Sequence, residues 1–218
     1  MVCSPPDQAL QPRRSRSSRS KRKTGRRGRG PSGRHPRLGH AAASSIACDI
    51  MEEHNLKQDL ARIVVQERTL VLSRFDSATA WSLGGALRSM ADERGAAVTI
   101  EIRIACATVF MFTMPGCTPV NADWARRKRN TVELLHRSSY GIGCELRLDA
   151  TSLEERLGLS TRDYASHGGS FPLTLEGIGC IGAVTVSGLP QRADHELVVE
   201  ALAGLCNVAL AEIALTLK

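Results

Sequence analysis

Residues 98–113 read VTIEIRIACATVFMFT. Val98, Ile100, Ile102 and Ile104 alternate with Thr99, Glu101 and Arg103, the period of a half-buried strand with one apolar and one polar face. Residues 108–113 form a second strand, which Pro115-Gly116 ends. The link between the two is too short for the crossover helix that parallel neighbours need, so they pair as an antiparallel hairpin.

The flanking sequence supplies the layers that cover this hairpin. Leu56, Leu60, Ile63, Val64 and Leu70 recur at helical spacing. A second helix spans residues 76–94, with Asp76 or Ser77 as cap and Ala80, Leu83, Leu87 and Met90 on one stripe. Gly95 stands just past its end, where a left-handed cap is wanted. Residues 121–136 form a charged helix whose run Gly141 and Gly143 end. Residues 153–157 and 162–165 are short helical pieces.

Two more strands, 171–175 and 181–187, are joined by Glu176-Gly177-Ile178-Gly179. Pro190 sits near the start of a last helix, apolar on most sides from Leu197 to Leu215. Such a helix is deeply buried or covered by another subunit. The order implies one α+β domain, an antiparallel sheet of about four to five strands flanked by helices.

The charge divides at the same place as the hydrophobic pattern. Residues 1–50 carry 12 Lys and Arg against 2 Asp and Glu, a net of +10; residues 51–218 carry 17 against 20, a net of −3. The basic character therefore belongs to a tail, and the domain at 51–218 is mildly acidic. Nucleic acid is an expected partner only through that tail. Residues 11–37 contain no Leu, Ile, Val, Phe, Trp, Tyr or Met, so the tail is expected to be disordered. It reads most simply as an appendage, and a natural chain beginning at Met51 is one form of that reading. Seven cysteines, an odd number without CxxC spacing, are expected to be free thiols, several buried, in a reducing compartment. No window is long and apolar enough for a membrane span and no secretory signal is visible, so the expected location is cytoplasmic.

Two motifs are set aside on context. Gly177-Ile178-Gly179-Cys180-Ile181-Gly182 matches GxGxxG, but a strand follows it where a dinucleotide site needs a helix; a tight turn and a bulge are expected instead. His167-Gly168-Gly169 resembles an oxyanion loop, but no GxSxG elbow exists. The run Arg126-Arg127-Lys128-Arg129 points around most of a helix circumference, which makes a solvated face the expected state.

Three stretches are dense in recognition residues: residues 121–140, 167–172 and 187–195. Trp124 and Lys128 share one helix face, Asp123 and Arg127 another. Gly168-Gly169 allows close backbone approach. Trp124 or Phe171, the cations Arg127 and Lys128, and an imidazole could grip a flat anionic ligand. The plainer alternative has Trp124 in the core, the cations paired with Asp123 and Glu133, and the histidines bonded to backbone.

The segments NADWARRKRN, HRSSY, HGGSFP, GxGxxGxVTVSGLP and DHxLVVEAL resemble the signature of the UPF-0303 group within the GlcG/HbpS-like, haem-degrading family. The resemblance spans residues 56–205. It implies a profilin-like α+β fold assembled into homo-oligomers. For function it implies a binder of haem or a related small anionic ligand, with at most weak haem-degrading activity. The matching positions are Trp124, Arg127, Lys128, His167, Gly168, Gly169, Phe171 and His195. Arg127 and Lys128 would hold carboxylates, and His167 or His195 could ligate iron. The alternatives are a non-enzymatic homo-oligomeric scaffold and, third, a small-molecule enzyme using His167 as acid or base.

Overall fold

The computed structural model describes the backbone of residues 39–215 and the side chains of residues 51–215. The reading of residues 11–37 as a disordered tail falls outside the described residues. The chain runs α1 (Gly39–Thr69), β1 (Val71–Leu72), α2 (Ser77–Glu93), β2 (Thr99–Ile104), β3 (Ala107–Thr113), α3 (Pro119–Leu135), α4 (Ser139–Leu148), α5 (Leu153–Leu157), β4 (Ser170–Leu175), β5 (Gly179–Ser187), α6 (Gln191–Cys206) and α7 (Leu210–Ile213). This is an α+β fold, one open five-stranded sheet in the order β1-β4-β5-β2-β3, flanked by helices. No helix among the described residues is long and apolar enough to cross a membrane.

The hairpin forms as its spacing predicts, β2 antiparallel to β3 with Ile100 opposite Phe112 and Ile102 opposite Phe110. Val98, Ile100 and Ile102 join Leu83 and Leu87 of α2 and Leu197 and Leu202 of α6 in the main core. Each such fully buried side chain contributes roughly 1.5–3 kcal/mol. The α2 boundaries also follow the sequence: Asp76 accepts a hydrogen bond from the Thr79 amide at 2.8 Å, and Gly95 takes φ +61°.

The other face of β2 was expected to meet solvent. It packs against α3 instead: Thr99 and Glu101 are buried, Arg129 reaches Glu101 at 2.7 Å, and Arg103 reaches Glu133 at 3.2 Å. A polar strand face can be covered when each charge meets its opposite there. The same contact removes the solvated cationic face expected of α3.

Several boundaries differ from the sequence reading. The first helix starts at Gly39, ahead of Leu56. The β1 strand escapes any periodicity because it has two residues; it pairs parallel to β4 and is the only parallel pair in the sheet. His136, at φ +55°, ends α3, and Gly141 and Gly143 lie inside α4. A Cβ on Gly143 would stand 2.0 Å from the Ser166 carbonyl, so its role is close packing. Residues 162–165 are not a helical piece; a turn spans 161–163. The last helix breaks at Asn207, φ +54°, into α6 and α7. Cys106, expected to be buried, is exposed at the hairpin tip with φ +66°; Cys117, Cys144, Cys180 and Cys206 are free thiols too. The GxGxxG run makes the β4–β5 turn, with Gly177 and Gly179 at positive φ. Ile181 is the extra residue between the pairs Thr174–Cys180 and Leu173–Gly182.

Candidate functional site

The charged helix α3 holds one wall of a cleft and pins the loop that forms the other. Pro119 occupies its first turn, and the Thr118 amide donates to Asn121 Oδ1 at 2.9 Å. From there Trp124, Arg127 and Lys128 project toward residues 161–168. Asn130 Nδ2 donates to the Asp163 carbonyl at 2.9 Å, and the Ala165 amide donates to Thr131 Oγ1 at 3.0 Å. Two further protein carbonyls, Thr161 and Gly168, accept from Arg127 and Lys128.

Trp124 is partly exposed, not core. The Arg127 guanidinium lies 3.8 Å from its ring centroid, a cation–π contact. His167 meets the same indole edge-on, centroids 4.8 Å apart. Arg127 also lies 3.1 Å from Asp123. Burial, with the cations Lys128, Arg127 and Arg147 added, pushes the His167 imidazole below its usual value. The exposed ring is therefore neutral near pH 7, with a free lone pair.

Lys128 is unlike the other cations. It is buried, and Nζ donates to the Gly168 carbonyl at 2.8 Å, the Val186 carbonyl at 2.8 Å and Asp194 Oδ2 at 2.9 Å. Asp194 in turn accepts from the Leu189 amide at 2.9 Å and the Gly188 amide at 3.4 Å. Burial pushes the lysine down and the carboxyl up, while each charge holds the other. Three acceptors around Nζ require three protons, so the pair stands as ammonium and carboxylate. Its chemistry is spent on tying the residue 168 loop to the start of α6.

Gly168 and Gly169 do permit close backbone approach, and what approaches is this chain. A Cβ on Gly168 would stand 2.0 Å from the Gln191 carbonyl; Gly169 takes φ +116° with Val186 O at 2.3 Å from such an atom. Phe171 and His195 lie behind the wall, both fully buried and lining neither cavity described below. His195 Nε2 bonds Gln66 Oε1 at 2.8 Å, its Nδ1 has no partner, and the ring contacts Tyr140 and Phe171. Of the eight expected site residues, the structure brings Trp124, Arg127, Lys128, His167 and Gly168 to the cleft.

The cleft has two adjoining parts that share Trp124 and His167. One, of about 250 Å³, lies over Lys128 and the Ser187–Leu189 loop. The other, of about 460 Å³, is lined by Arg127, Arg147, Leu146, Tyr164 and the hydroxyls of Thr151 and Ser152, with no carboxylate. Arg147 was not singled out from sequence. Its guanidinium donates to the Gly143 carbonyl and meets Cys144 Sγ, and it has no ion-pair partner among the described residues. No local pattern marks it, because its place beside His167 depends on how α4 packs against the loop. No group of three metal-ligating side chains occurs among the described residues.

A family model described as haem degrading protein HbpS-like matches residues 75–203. The chain belongs to this HbpS-like family and, within it, to the UPF0303 group: a UPF0303 protein of Azotobacter vinelandii is 55% identical over 161 residues, 74% of this chain and 97% of that relative. Among solved structures, the Ybr137w protein superposes with a TM-score of 0.64 at 27% identity, over 68% of this chain and 87% of that one. A PduOC:heme complex superposes with a TM-score of 0.51 at 21% identity, over 61% and 94%, a likeness of fold.

Proposed function

We propose that this protein is a cytoplasmic binding protein for a flat anionic ligand, haem or a related tetrapyrrole, held in the cleft beside Trp124 and His167. One observation carries the reading. In a domain of net charge −3, a cavity of about 460 Å³ is lined by two arginines and no acid, within the size range of small-molecule sites. The family description and the haem complex of a structural relative support it.

The residues suit such a ligand. Arg127 and Arg147 would meet its carboxylates, Arg147 having no ion-pair partner among the described residues. Trp124 and Leu146 offer apolar surface. Haem would supply an iron centre, which the neutral, exposed imidazole of His167 would hold. Lys128, Gly168 and Gly169 shape the wall, while Phe171 and His195 support it from the core. The reading is of binding, with at most weak degradation of the ligand.

Titration of the full chain with haem tests this. The expected result is a shifted Soret band at micromolar haem, with a different position or intensity in His167→Ala. Arg147→Glu is expected to weaken binding on the order of tenfold, about 1.4 kcal/mol. Absence of any shifted band in the wild type ends the proposal; an unchanged band in His167→Ala removes that residue from the iron.

A second reading, a homo-oligomeric scaffold, is favoured by one observation of its own. Trp81 is 73% exposed and stands beside Phe110 of β3, a strand with no neighbour on its outer side among the described residues.

A further inference from the structure

The β3 strand is the last of its sheet, with no neighbour beyond it among the described residues. Soluble proteins guard such an edge with lysine, proline, short length or a covering element, because its free N–H and C=O groups can template another strand. Here Ala107–Thr113 runs seven residues without a charge or a proline. The only irregularity is near Val109, toward the hairpin tip, and it leaves residues 110–113 regular.

Apolar side chains flank this edge on both faces of the sheet. Met111 lies opposite Glu101, on the α3 side, and is 49% exposed; Phe112 lies opposite Ile100, on the α2 side, and is 36% exposed. Trp81 of α2 stands edge-on to Phe110, centroids 5.8 Å apart, and extends the apolar surface. Arg88, the cation over Phe112, is neutralised by Asp92.

We propose that β3 pairs antiparallel with β3 of a second copy of this chain, continuing the sheet across a two-fold axis. The inference rests on the reading of the chain as a homo-oligomer and names the surface that assembles it. The strand is complementary to itself. An axis through Met111 sets that residue against its counterpart and Phe110 against Phe112. An axis through Phe110 sets that residue against its counterpart and Val109 against Met111. In either register these central pairs set apolar against apolar, the favourable cross-strand case, with threonine in the flanking pairs, and no like charges are opposed. A two-fold contact is also the commonest way a chain meets its own copy. The domain's net charge of −3 gives little long-range repulsion between copies.

Light scattering after size exclusion tests the surface in the full chain, with Met111→Lys and Val109→Lys as edge variants and Ile178→Lys, at an exposed turn in β4–β5, as control. The expected result is an assembled wild type and control, and edge variants whose particle mass is at least halved with an unchanged circular dichroism spectrum. Amide exchange in wild-type β3 should slow as protein concentration rises, a readout that does not depend on any variant folding. An assembled wild type with unaltered edge variants and concentration-independent β3 exchange overturns the β3 pairing while the oligomer reading stands. A monomeric wild type overturns both.

Discussion

Replacing Lys128 with methionine is expected to destabilise the fold by about 3–5 kcal/mol, the scale for breaking one side of a buried ion pair. The methionine fills most of the volume but donates nothing. Asp194 would be left as a buried carboxylate without its counter-charge, and the Gly168 and Val186 carbonyls would lose their donor. Asp194→Asn should cost a similar amount, because Leu189 and Lys128 donate to different carboxylate oxygens, so the amide NH2 must face one of these donors and the buried ammonium loses its counter-charge. Urea unfolding of the two variants against the wild type measures this. A loss below about 1 kcal/mol for Lys128→Met, the scale of an exposed ion pair, would mean that the ammonium is solvated and the node is not structural. Such a loss would also bear on ligand binding, since this pair holds both loops that frame the cleft.

The second large effect is on acid stability and comes from His195. Its Nε2 faces Gln66 Oε1, whose orientation is set by Gln66 Nε2 donating to the Ile213 carbonyl at 2.8 Å. Nε2 must therefore carry the proton, and Nδ1 keeps a bare lone pair with nothing to donate to it. Protonation would place a charged N–H at Nδ1 in a fully buried site without an acceptor. Burial accordingly holds the imidazole down at about 3, against 6.5 when unfolded; nearby Asp59 opposes this and Arg192 adds to it.

The folded value lies below the unfolded one, so the neutral ring's contribution is complete above pH 6.5. It is lost as pH falls toward 3, at about 1.4 kcal/mol per pH unit. Wild type should thus lose roughly 2 kcal/mol more than His195→Gln between pH 6.5 and 4.5. Chemical denaturation at several pH values gives the comparison. Stability curves that run parallel in wild type and variant would show that His195 does not take up a proton on unfolding in this range.

The two predictions separate residues that look alike in sequence. Lys128 and Arg127 are adjacent cations, and His167 and His195 both stand in recognition-dense stretches. In the structure Arg127 and His167 line the cleft, whereas Lys128 spends all three ammonium protons on acceptors of this chain and His195 is fully buried behind the wall. The difference is set by partners far along the chain: Asp194 is 66 residues from Lys128, and Gln66 is 129 from His195.

The features legible along the chain are local ones. Alternation over residues 98–104 decides a strand, a three-residue link decides a hairpin, Asp76 and Gly95 bound α2, and a GxGxxG run between two strand patterns decides a turn with a bulge. Each depends on backbone geometry and side-chain period within about ten residues. The family signature was legible for the same reason, as contiguous motifs. Tertiary packing decided the rest. Only the sheet order shows that two residues, Val71 and Leu72, form a strand, since their pairing partner is β4. Only the docking of α3 on β2 turns an expected solvated face into paired buried charge, because burial of an ion depends on whether its opposite is brought within reach. And only the packing of α4 against the His167 loop, Gly143 on the Ser166 carbonyl, sets Arg147 in the lining of the cleft.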